Sequence, residues 1–378
     1  MKKSILLFGA TSYVGRFVTQ RLLDDGYHVI AIGRNLVQAK ILLYEFIDQI
    51  DFCSAEELLA SKKYEAGSIS ALINLAYIQD APFEKLFSQN KQLCNTIHKV
   101  AVHFNIPKVI HTSTLSVFGN VVPKTSSPSK VKMSWGDPYT ETKIDAEQHF
   151  LSNQKKSSYA LAIVRLGNVL GPASPGWTAG IANRILQNKP VGFNGETGFS
   201  NTTYVKNIAD YFVLLEGKSK EELKTFGIFH HLSEFHQHTW NEILSGYAAV
   251  IGMPLLRVER FALPAPAKFS IQGKSLTFAK KFLSGKKSGY ARYWSSVFSN
   301  LPPVEKGIKK IKKIKSQQFQ LSSSPAIVND FAFLNTMCAE NPFQKHTFPE
   351  WKPRFTMEMA MKEMQDYLIE ASFCFSEK

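Results

Sequence analysis

Residues 4–23 read SILLFGATSYVGRFVTQRLL, and this stretch decides the fold. The apolar run at its start predicts a buried strand, and the segment after Gly15 has the spacing of an amphipathic helix. Gly9 lets the chain turn directly after the strand, and Gly15 lets the helix lie close to the sheet. The amides at such a helix N-terminus can bind a phosphate. The stretch therefore predicts a dinucleotide-binding turn, with Ser12 at the place of the middle glycine in Gly-x-x-Gly-x-x-Gly.

Composition limits the class of protein. The 378 residues are 44% hydrophobic, which suffices for a large core in two lobes. The N-terminal apolar run is short and continues into the glycine turn, so we expect no signal peptide, and no stretch reaches the ~18 to 20 apolar residues of a membrane span. Four cysteines without paired spacing indicate reduced thiols. We expect a cytoplasmic protein, with peripheral attachment to the inner face of a membrane as the alternative.

The end of the predicted second strand bears on the choice of cofactor. An acidic residue there accepts hydrogen bonds from the adenosine ribose and favours NAD. This chain has Gly33 followed by Arg34, and a cation at that turn suits a 2′-phosphate. We therefore predict NADP, with NAD as the alternative, because an ordinary surface arginine at a strand end would also explain Arg34.

Strands and helices alternate along the next hundred residues. We predict a third strand over residues 49–52, a fourth over 69–76, a helix over 83–104 and a fifth strand over 108–114. This alternation implies a parallel sheet covered by helices. Cofactor sites of such sheets lie at the carboxyl ends of the strands, so these ends should converge on the glycine turn.

A helix that begins at Pro138 carries residues suited to proton transfer. Tyr139 and Lys143 are four residues apart, so both side chains project from one helical face. A phenol has a pKa near ~10, whereas a general base at neutral pH needs about 3 units less, and a fixed ammonium supplies part of that shift. Thr114 would hold the substrate oxygen. Tyr-x-x-x-Lys occurs once in the chain, and its position after the fifth strand argues against an ordinary exposed pair.

Taken together, these residues resemble the extended short-chain dehydrogenase/reductases, also called the NAD-dependent epimerase/dehydratase family, over roughly residues 4–215. The similar motifs are Gly9-x-x-Ser12-x-x-Gly15, Asn74-Leu75-Ala76, Ser113-Thr114-Leu-Ser-Val117-Phe118-Gly119, Tyr139-x-x-x-Lys143, Arg165-Leu-Gly167-Asn168-Val169-Leu-Gly171-Pro172 and Tyr204-Val205-x-x-Ile208-Ala209-Asp210. Lys206 and Asn207 replace an acidic pair that is common in the last motif.

The resemblance implies an α/β fold, namely a Rossmann-type doubly wound parallel sheet with a smaller C-terminal α+β lobe that binds substrate. The NAD(P)-binding domain would span residues 1–168, with a return of the chain around 200–235, and the lobe would span 169–378. A homodimer formed through the helices at 83–104 and 139–150 is implied in the same way.

The resemblance also implies site residues. Catalysis is expected from Thr114, Tyr139 and Lys143, and substrate contacts from Thr114 and Asn168. We expect cofactor contacts from Gly9, Thr11, Ser12, Tyr13, Val14, Gly15, Arg34, Asp51, Phe52, Leu75, Ala76, Tyr139 and Lys143. No metal site is expected, because no carboxylate spacing accompanies the cluster of His230, His231, His236 and His238.

Two departures from the family pattern bear on the reaction. Sugar 4,6-dehydratases carry Asp and Glu after the catalytic threonine, where this chain has Leu115 and Ser116, which argues against dehydration. Hydride exchange at a carbinol or ketone carbon of a nucleotide-linked sugar remains, as an epimerase or a ketoreductase. A reductase suits NADP, whereas an epimerase more often retains NAD.

The positive charge is concentrated in one window. Residues 257–315 contain 15 Lys or Arg and two acids, so they supply +13 of the formal net charge of +14. A solvated basic face, a pocket for a diphosphate and a contact with an anionic membrane would each explain this window. We do not expect nucleic acid, because no recognition motif accompanies the charge. The alternative functions are a membrane-surface dehydrogenase/reductase that acts on a lipid or lipid-linked alcohol, and a non-catalytic dinucleotide-sensing scaffold.

Overall fold

The structure is a computed structural model that describes residues 3–79, 83–118, 138–195, 198–259, 333–334 and 336–373. Most of the basic window, from residue 260 to 315, lies outside the described residues, and so does Gly119 of the fifth-strand motif. None of the described helices is long and apolar enough to cross a membrane.

A parallel sheet forms the centre of the molecule. The strands of the described residues are β1 (Ser4–Phe8), β2 (His28–Ile32), β3 (Ile50–Cys53), β4 (Ile69–Asn74), β5 (Lys108–Thr114), β6 (Ala160–Leu166), β7 (Asn168–Leu170), β8 (Gly192–Phe193), β9 (Thr202–Tyr204), β10 (Phe229–Leu232) and β11 (Arg257–Val258). Seven of them pair in parallel in the order β10-β6-β5-β4-β1-β2-β3. The order reverses between β1 and β4, and ligands of doubly wound sheets bind at such a switch point. The predicted fold class is confirmed, and β5 has the predicted bounds.

Helices cover both faces of this sheet. The described α-helices are α1 (Tyr13–Asp24), α2 (Leu36–Leu42), α3 (Ala55–Ala60), α4 (Phe83–His103), α5 (Pro138–Gln154), α6 (Ala179–Leu186), α7 (Val205–Gly217), α8 (Lys220–Phe226), α9 (Trp240–Ile251) and α10 (Met357–Glu370). Successive residues of β1 alternate between two cores, since Ile5 packs with α1 and α7 on one face and Leu6 packs with α4 and α5 on the other.

The C-terminal lobe has a core of its own. Helices α6, α9 and α10 meet in a cluster that includes Ile185, Tyr247 and Met364. Two short parallel pairs, β7 with β9 and β8 with β11, lie outside the central sheet. These elements accord with the α+β character expected for the lobe.

Two segments return to the central sheet from the second half of the chain. Strand β10 pairs with β6, and His231 forms an antiparallel bridge with His346. The apolar residues between 226 and 233 predict a strand over that range, but β10 begins only at Phe229, because Phe226 is the last residue of α8. A capping box of Ser219 and Glu222 starts this helix, which the sequence analysis did not predict.

Candidate active site

A cleft of about 1950 Å³ follows the carboxyl ends of the central strands. The end of β1, the start of α1, the ends of β2, β4, β5 and β6, and the first turns of α5 contribute to its wall. The predicted site residues that line it are Gly9, Thr11, Ser12, Tyr13, Val14, Arg34, Leu75, Ala76, Thr114, Tyr139, Lys143 and Asn168. The fold thus brings the glycine turn and the tyrosine–lysine pair to one cavity.

The glycine turn is packed too closely for side chains at two positions. Gly9 has a φ of +80°, and a Cβ added there would lie 2.6 Å from the amide nitrogen of Ala76. A Cβ on Gly15 would lie 2.1 Å from the carbonyl oxygen of Gly9. Ser12 caps α1 by accepting a hydrogen bond from the Gly15 amide at 3.0 Å. The remaining first-turn amides of α1 have no acceptor within the helix, so this cradle fits the pyrophosphate of a dinucleotide.

Asp51 and Phe52, which the sequence analysis expected at the cofactor, do not line the cleft. The carboxylate of Asp51 pairs with His28 and Lys63, 3.1 Å and 2.7 Å away, and Phe52 packs against the core beneath α1. Strand β3 continues to Cys53, so residues beyond its end reach the cavity instead. These residues, which the sequence analysis missed, are Ala55 and Glu56.

Three hydroxyl groups meet beside the end of β5. The Thr114 hydroxyl lies 3.0 Å from that of Ser116 and accepts from the Ser116 amide at 3.2 Å. Thr140, in the first turn of α5, donates to the Ser116 hydroxyl at 3.2 Å. Leu115 is buried in a small apolar cluster between these polar residues. The site therefore offers neutral hydroxyls where an acid and a base would follow the threonine in a dehydratase.

Tyr139 and Lys143 differ in their exposure to solvent. Tyr139 is 41% exposed and lines the cleft, whereas Lys143 is 6% exposed and its ammonium donates to the Thr112 carbonyl at 3.1 Å. Burial lowers the pKa of Lys143 from 10.5 to about 8, although Cys94 and Glu147 oppose the shift. The ammonium lies 5.9 Å from the centre of the Tyr139 ring. A buried cation and an accessible phenol therefore share one helical face, as their spacing predicted.

A buried ion pair holds α5 against the sheet one turn after Lys143. The Glu147 carboxylate accepts from Arg165 Nε at 2.9 Å, from its terminal nitrogen at 2.7 Å, and from the Ser113 hydroxyl at 2.5 Å. All three residues are almost completely buried, and the Arg165 guanidinium lies 4.1 Å from the ring centre of Phe229. This network connects α5, β5 and β6, so it fixes the helix that carries the pair relative to the strand that carries Thr114.

Comparison with known proteins identifies the family. Residues 5–226 match the NAD dependent epimerase/dehydratase family. The chain belongs to this family. A putative UDP-arabinose 4-epimerase from Arabidopsis thaliana is 26% identical over 196 residues, which are 48% of this chain and 44% of the relative. The chain thus matches less than half the length of that plant relative. An NADP-dependent 3-hydroxy acid dehydrogenase from Escherichia coli is 25% identical over 219 residues, which are 54% of this chain and 82% of that enzyme.

Solved structures of family enzymes share the fold. UDP-glucose 4-epimerase from Thermotoga maritima matches 98% of this chain and 99% of its own, with a TM-score of 0.62 and 13% identity. UDP-glucuronic acid 4-epimerase from Bacillus cereus, solved with NAD, matches 68% of this chain and 87% of its own, with a TM-score of 0.54 and 22% identity. At these identities the likeness establishes the extended short-chain dehydrogenase/reductase fold.

The cleft wall near Asn168 and Trp177 differs in character from the wall near Tyr139 and Lys143. Asn168, on β7, lines the cavity and its amide donates to the Ser200 carbonyl at 2.7 Å. Near Trp177, within the described residues, the wall is uncharged and partly aromatic, and the ring of Phe333 stacks on that of Trp177 with centres 6.2 Å apart. Trp177 stacks on Trp240 with ring centres 5.0 Å apart. The described wall at this end is therefore suited to stacking against a planar or apolar group.

The four clustered histidines separate in the structure. His230 and His231 are buried in β10, where burial lowers the pKa of each to about 3. His236 lies 2.8 Å from the Ser233 carbonyl, and His238 lies 3.0 Å from Glu242. Within the described ranges, no three His, Cys, Asp or Glu side chains are grouped so that they could hold a metal ion.

Proposed function

We propose that this protein is an NAD(P)-dependent oxidoreductase that exchanges a hydride at a carbinol or ketone carbon of a nucleotide-linked sugar, as an epimerase or a ketoreductase. The observation that carries the proposal is the convergence of Thr114, Tyr139 and Lys143 on the cavity lined by the glycine turn. UDP-sugar epimerases among the relatives support the substrate class. The uncharged pair of Leu115 and Ser116 supports hydride exchange over dehydration.

The roles that we propose follow from position. Tyr139 is the general acid/base, because its phenol is accessible from the cleft. The Lys143 ammonium stabilises the phenolate and binds the cofactor ribose, while Thr114 polarises the substrate oxygen. Asn168 positions the substrate. Only the ionised phenol can take a proton from a carbinol, and the charged Lys143 ammonium favours that ionised form. The pH range of the reaction should therefore depend on the protonation state of Lys143.

A nicotinamide dinucleotide fits the cradle at the N-terminus of α1. When bound, it takes up or returns a hydride at the substrate carbon. We propose that the turn at Gly9 to Gly15 holds its pyrophosphate, and that Leu75 and Ala76 contact it from the end of β4. Arg34 lines the cleft at the end of β2 and supports NADP, whereas the B. cereus epimerase was solved with NAD.

The cofactor preference can be tested by reversing one charge. We expect NADP to raise the melting temperature more than NAD does, and Arg34→Glu to weaken NADP binding by about tenfold or more because its carboxylate repels a 2′-phosphate. Lys40→Glu, an exposed reversal on α2, is the control. A rise with NAD and none with NADP would show that Arg34 does not select the cofactor.

The reaction can be tested with a panel of nucleotide sugars, measuring nicotinamide absorbance and sugar products. We expect Tyr139→Phe to lower turnover by about 10²-fold or more and to leave dinucleotide binding intact. Tyr44→Phe, a change at an exposed tyrosine, is the control. Wild-type turnover by Tyr139→Phe would contradict the role of its phenol as acid/base, whereas dinucleotide binding without turnover of any substrate by the unaltered protein would favour the dinucleotide-sensing scaffold.

A second candidate is a dehydrogenase/reductase that acts on a lipid or lipid-linked alcohol at a membrane surface. Two observations favour it, namely the +13 charge of residues 257–315 and the uncharged, partly aromatic wall near Trp177 in the described part of the cleft.

We also propose that the protein is a cytoplasmic homodimer in which two copies of the chain contact each other through α4 and α5. Light scattering after size exclusion would measure the dimer, and a monomer at every concentration would contradict it.

A further inference from the structure

Tyr77 forms an aromatic corner with the predicted acid/base pair. Its ring centre lies 5.2 Å from that of Tyr139, with the two planes at 86°. The Lys143 ammonium lies 5.1 Å from the centre of the Tyr77 ring, closer than its 5.9 Å from the centre of the Tyr139 ring. Both distances are within the range of a cation–π interaction. Tyr77 also lines the cleft.

The backbone around Tyr77 is held by two asparagine side chains. Asn74, at the end of β4, accepts from the Ala76 amide at 3.0 Å. The buried Asn90 of α4 accepts from the Ile78 amide at 3.0 Å and donates to the Ile78 carbonyl at 2.9 Å. These bonds fix the residues on either side of Tyr77. The ring is therefore supported by rigid elements, as a positioning group requires.

We propose that Tyr77 is a positioning residue that holds the Tyr139 phenol and keeps the Lys143 ammonium charged beside it. The inference rests on the proposed function, because it gives Tyr77 a role only if Tyr139 transfers the proton. Tyr139 is half-exposed at the start of α5, so an edge-to-face contact with Tyr77 limits the orientations of its ring. The face of the Tyr77 ring compensates part of the hydration that Lys143 loses on burial.

Several other groups act on the same ammonium. Cys94 of α4 and Glu147 of α5 favour the charged form, whereas burial opposes it. Burial lowers the pKa of the His111 imidazole on β5, and the nearby Lys143 ammonium lowers it further. Replacing Tyr77 by an aliphatic residue therefore removes one favourable contact from a balanced site. The expected consequence is a less charged Lys143 and a Tyr139 phenol that ionises at higher pH.

The phenol can be titrated in the protein without substrate. Tyr77→Leu and Tyr77→Met remove the ring, whereas Tyr77→Phe keeps it and is the matched control. The phenolate signal of Tyr139 is the absorbance difference between each protein and the same protein carrying Tyr139→Phe. We expect the two aliphatic variants to raise the pKa of Tyr139 by about half a unit or more, and Tyr77→Phe to leave it near the wild-type value.

The outcomes distinguish this role from a structural one. Thermal unfolding identifies any variant that is misfolded, and two aliphatic variants are used so that one folded protein suffices. An unchanged pKa in a folded aliphatic variant, or an equal shift in Tyr77→Phe, would overturn the role of the ring. Failure of the protein to turn over any nucleotide sugar would count against the proposed function and would leave the titration result standing.

Discussion

At the scale of single residues, the burial of Lys143 costs stability at a residue for which we propose a catalytic role. The pKa of its ammonium is about 8 in the folded protein against 10.5 in an exposed lysine. Below pH 8 Lys143 is charged in both the folded and the unfolded protein, so folding carries the full cost of desolvating its ammonium. Between pH 8 and 10.5 the folded state releases its proton first, so the cost declines as pH rises.

Replacing Lys143 by methionine should therefore stabilise the folded protein, while the proposed function predicts that the same change abolishes activity. At pH 7 we expect Lys143→Met to raise the free energy of unfolding by on the order of 1–3 kcal/mol, less what is lost with the hydrogen bond to Thr112. The difference should shrink as pH approaches 10.5. Urea unfolding at several pH values measures it, with Lys99→Met on the exposed side of α4 as the control. A Lys143→Met protein that is less stable at pH 7 would contradict the prediction.

Residue-level prediction from the sequence succeeded where a short pattern determines the geometry. The spacing of Tyr139 and Lys143 places both on one face of a single helix, which needs no knowledge of the rest of the fold. The cofactor contact expected of Asp51 stays a prediction. Its carboxylate does not line the cleft and pairs with Lys63, and this position depends on where β3 ends, which the sequence pattern does not determine. The contact of Tyr77 with Lys143 joins β4 to α5, and no local pattern encodes it.

At the scale of elements, the Glu147–Arg165 pair holds α5 to the sheet. Replacing one partner of a buried pair leaves the other as an uncompensated charge, which costs about 3–5 kcal/mol. We expect Glu147→Leu to lose about this much in urea unfolding, and Glu147→Leu with Arg165→Met to recover most of it. Glu221→Leu breaks an exposed pair with Lys224 and should cost less than about 1 kcal/mol. If the double variant were no more stable than Glu147→Leu, the ion pair would be shown to stabilise the protein relative to apolar side chains at the same two positions.

Whether a helix or strand could be predicted from the sequence depended on the local residue pattern that it carries. Strand β5 was predicted to the residue, because a run rich in β-branched residues begins directly after Pro107. Helix α8 was missed although Ser219 and Glu222 form a capping box at its start. Its only fully buried apolar residue is Leu223, so it has no apolar periodicity from which a helix could be predicted. The strand predicted over residues 226–233 began three residues before β10, which begins at Phe229.

At the scale of the whole molecule, the chain does not complete one lobe before it begins the other. The sheet takes its last strand from residues 229–232, and residue 346 then bridges to that strand from near the C-terminus. The resemblance predicted a return of the chain around 200–235. The bridge from His346 was not predicted, because a pairing across more than a hundred residues leaves no local periodicity. The domain limits at 168 and 169 stay a prediction.

The distribution of charge leads to a prediction for the intact protein. Nearly all of the net charge of +14 comes from residues 257–315, where lysines alternate with isoleucines near the end of the window. Each near-surface cation adds about 1 kcal/mol of attraction to an anionic bilayer, and salt screens this attraction over a Debye length of ~8 Å at physiological ionic strength. If the lipid-alcohol candidate is right, the protein should float with vesicles that contain phosphatidylserine and should be released by high salt.

Neutralising four lysines tests whether this window carries the attraction. With Lys309, Lys310, Lys312 and Lys313 changed to Gln, the expected loss is about 4 kcal/mol, enough to abolish flotation. A matched protein with Lys62, Lys91, Lys99 and Lys155 changed to Gln has the same net charge and should still bind if the position of the charge matters. Equal losses in the two proteins would indicate attraction by net charge alone. No flotation of the unaltered protein would exclude the membrane candidate and leave the nucleotide-linked sugar as the substrate class to pursue.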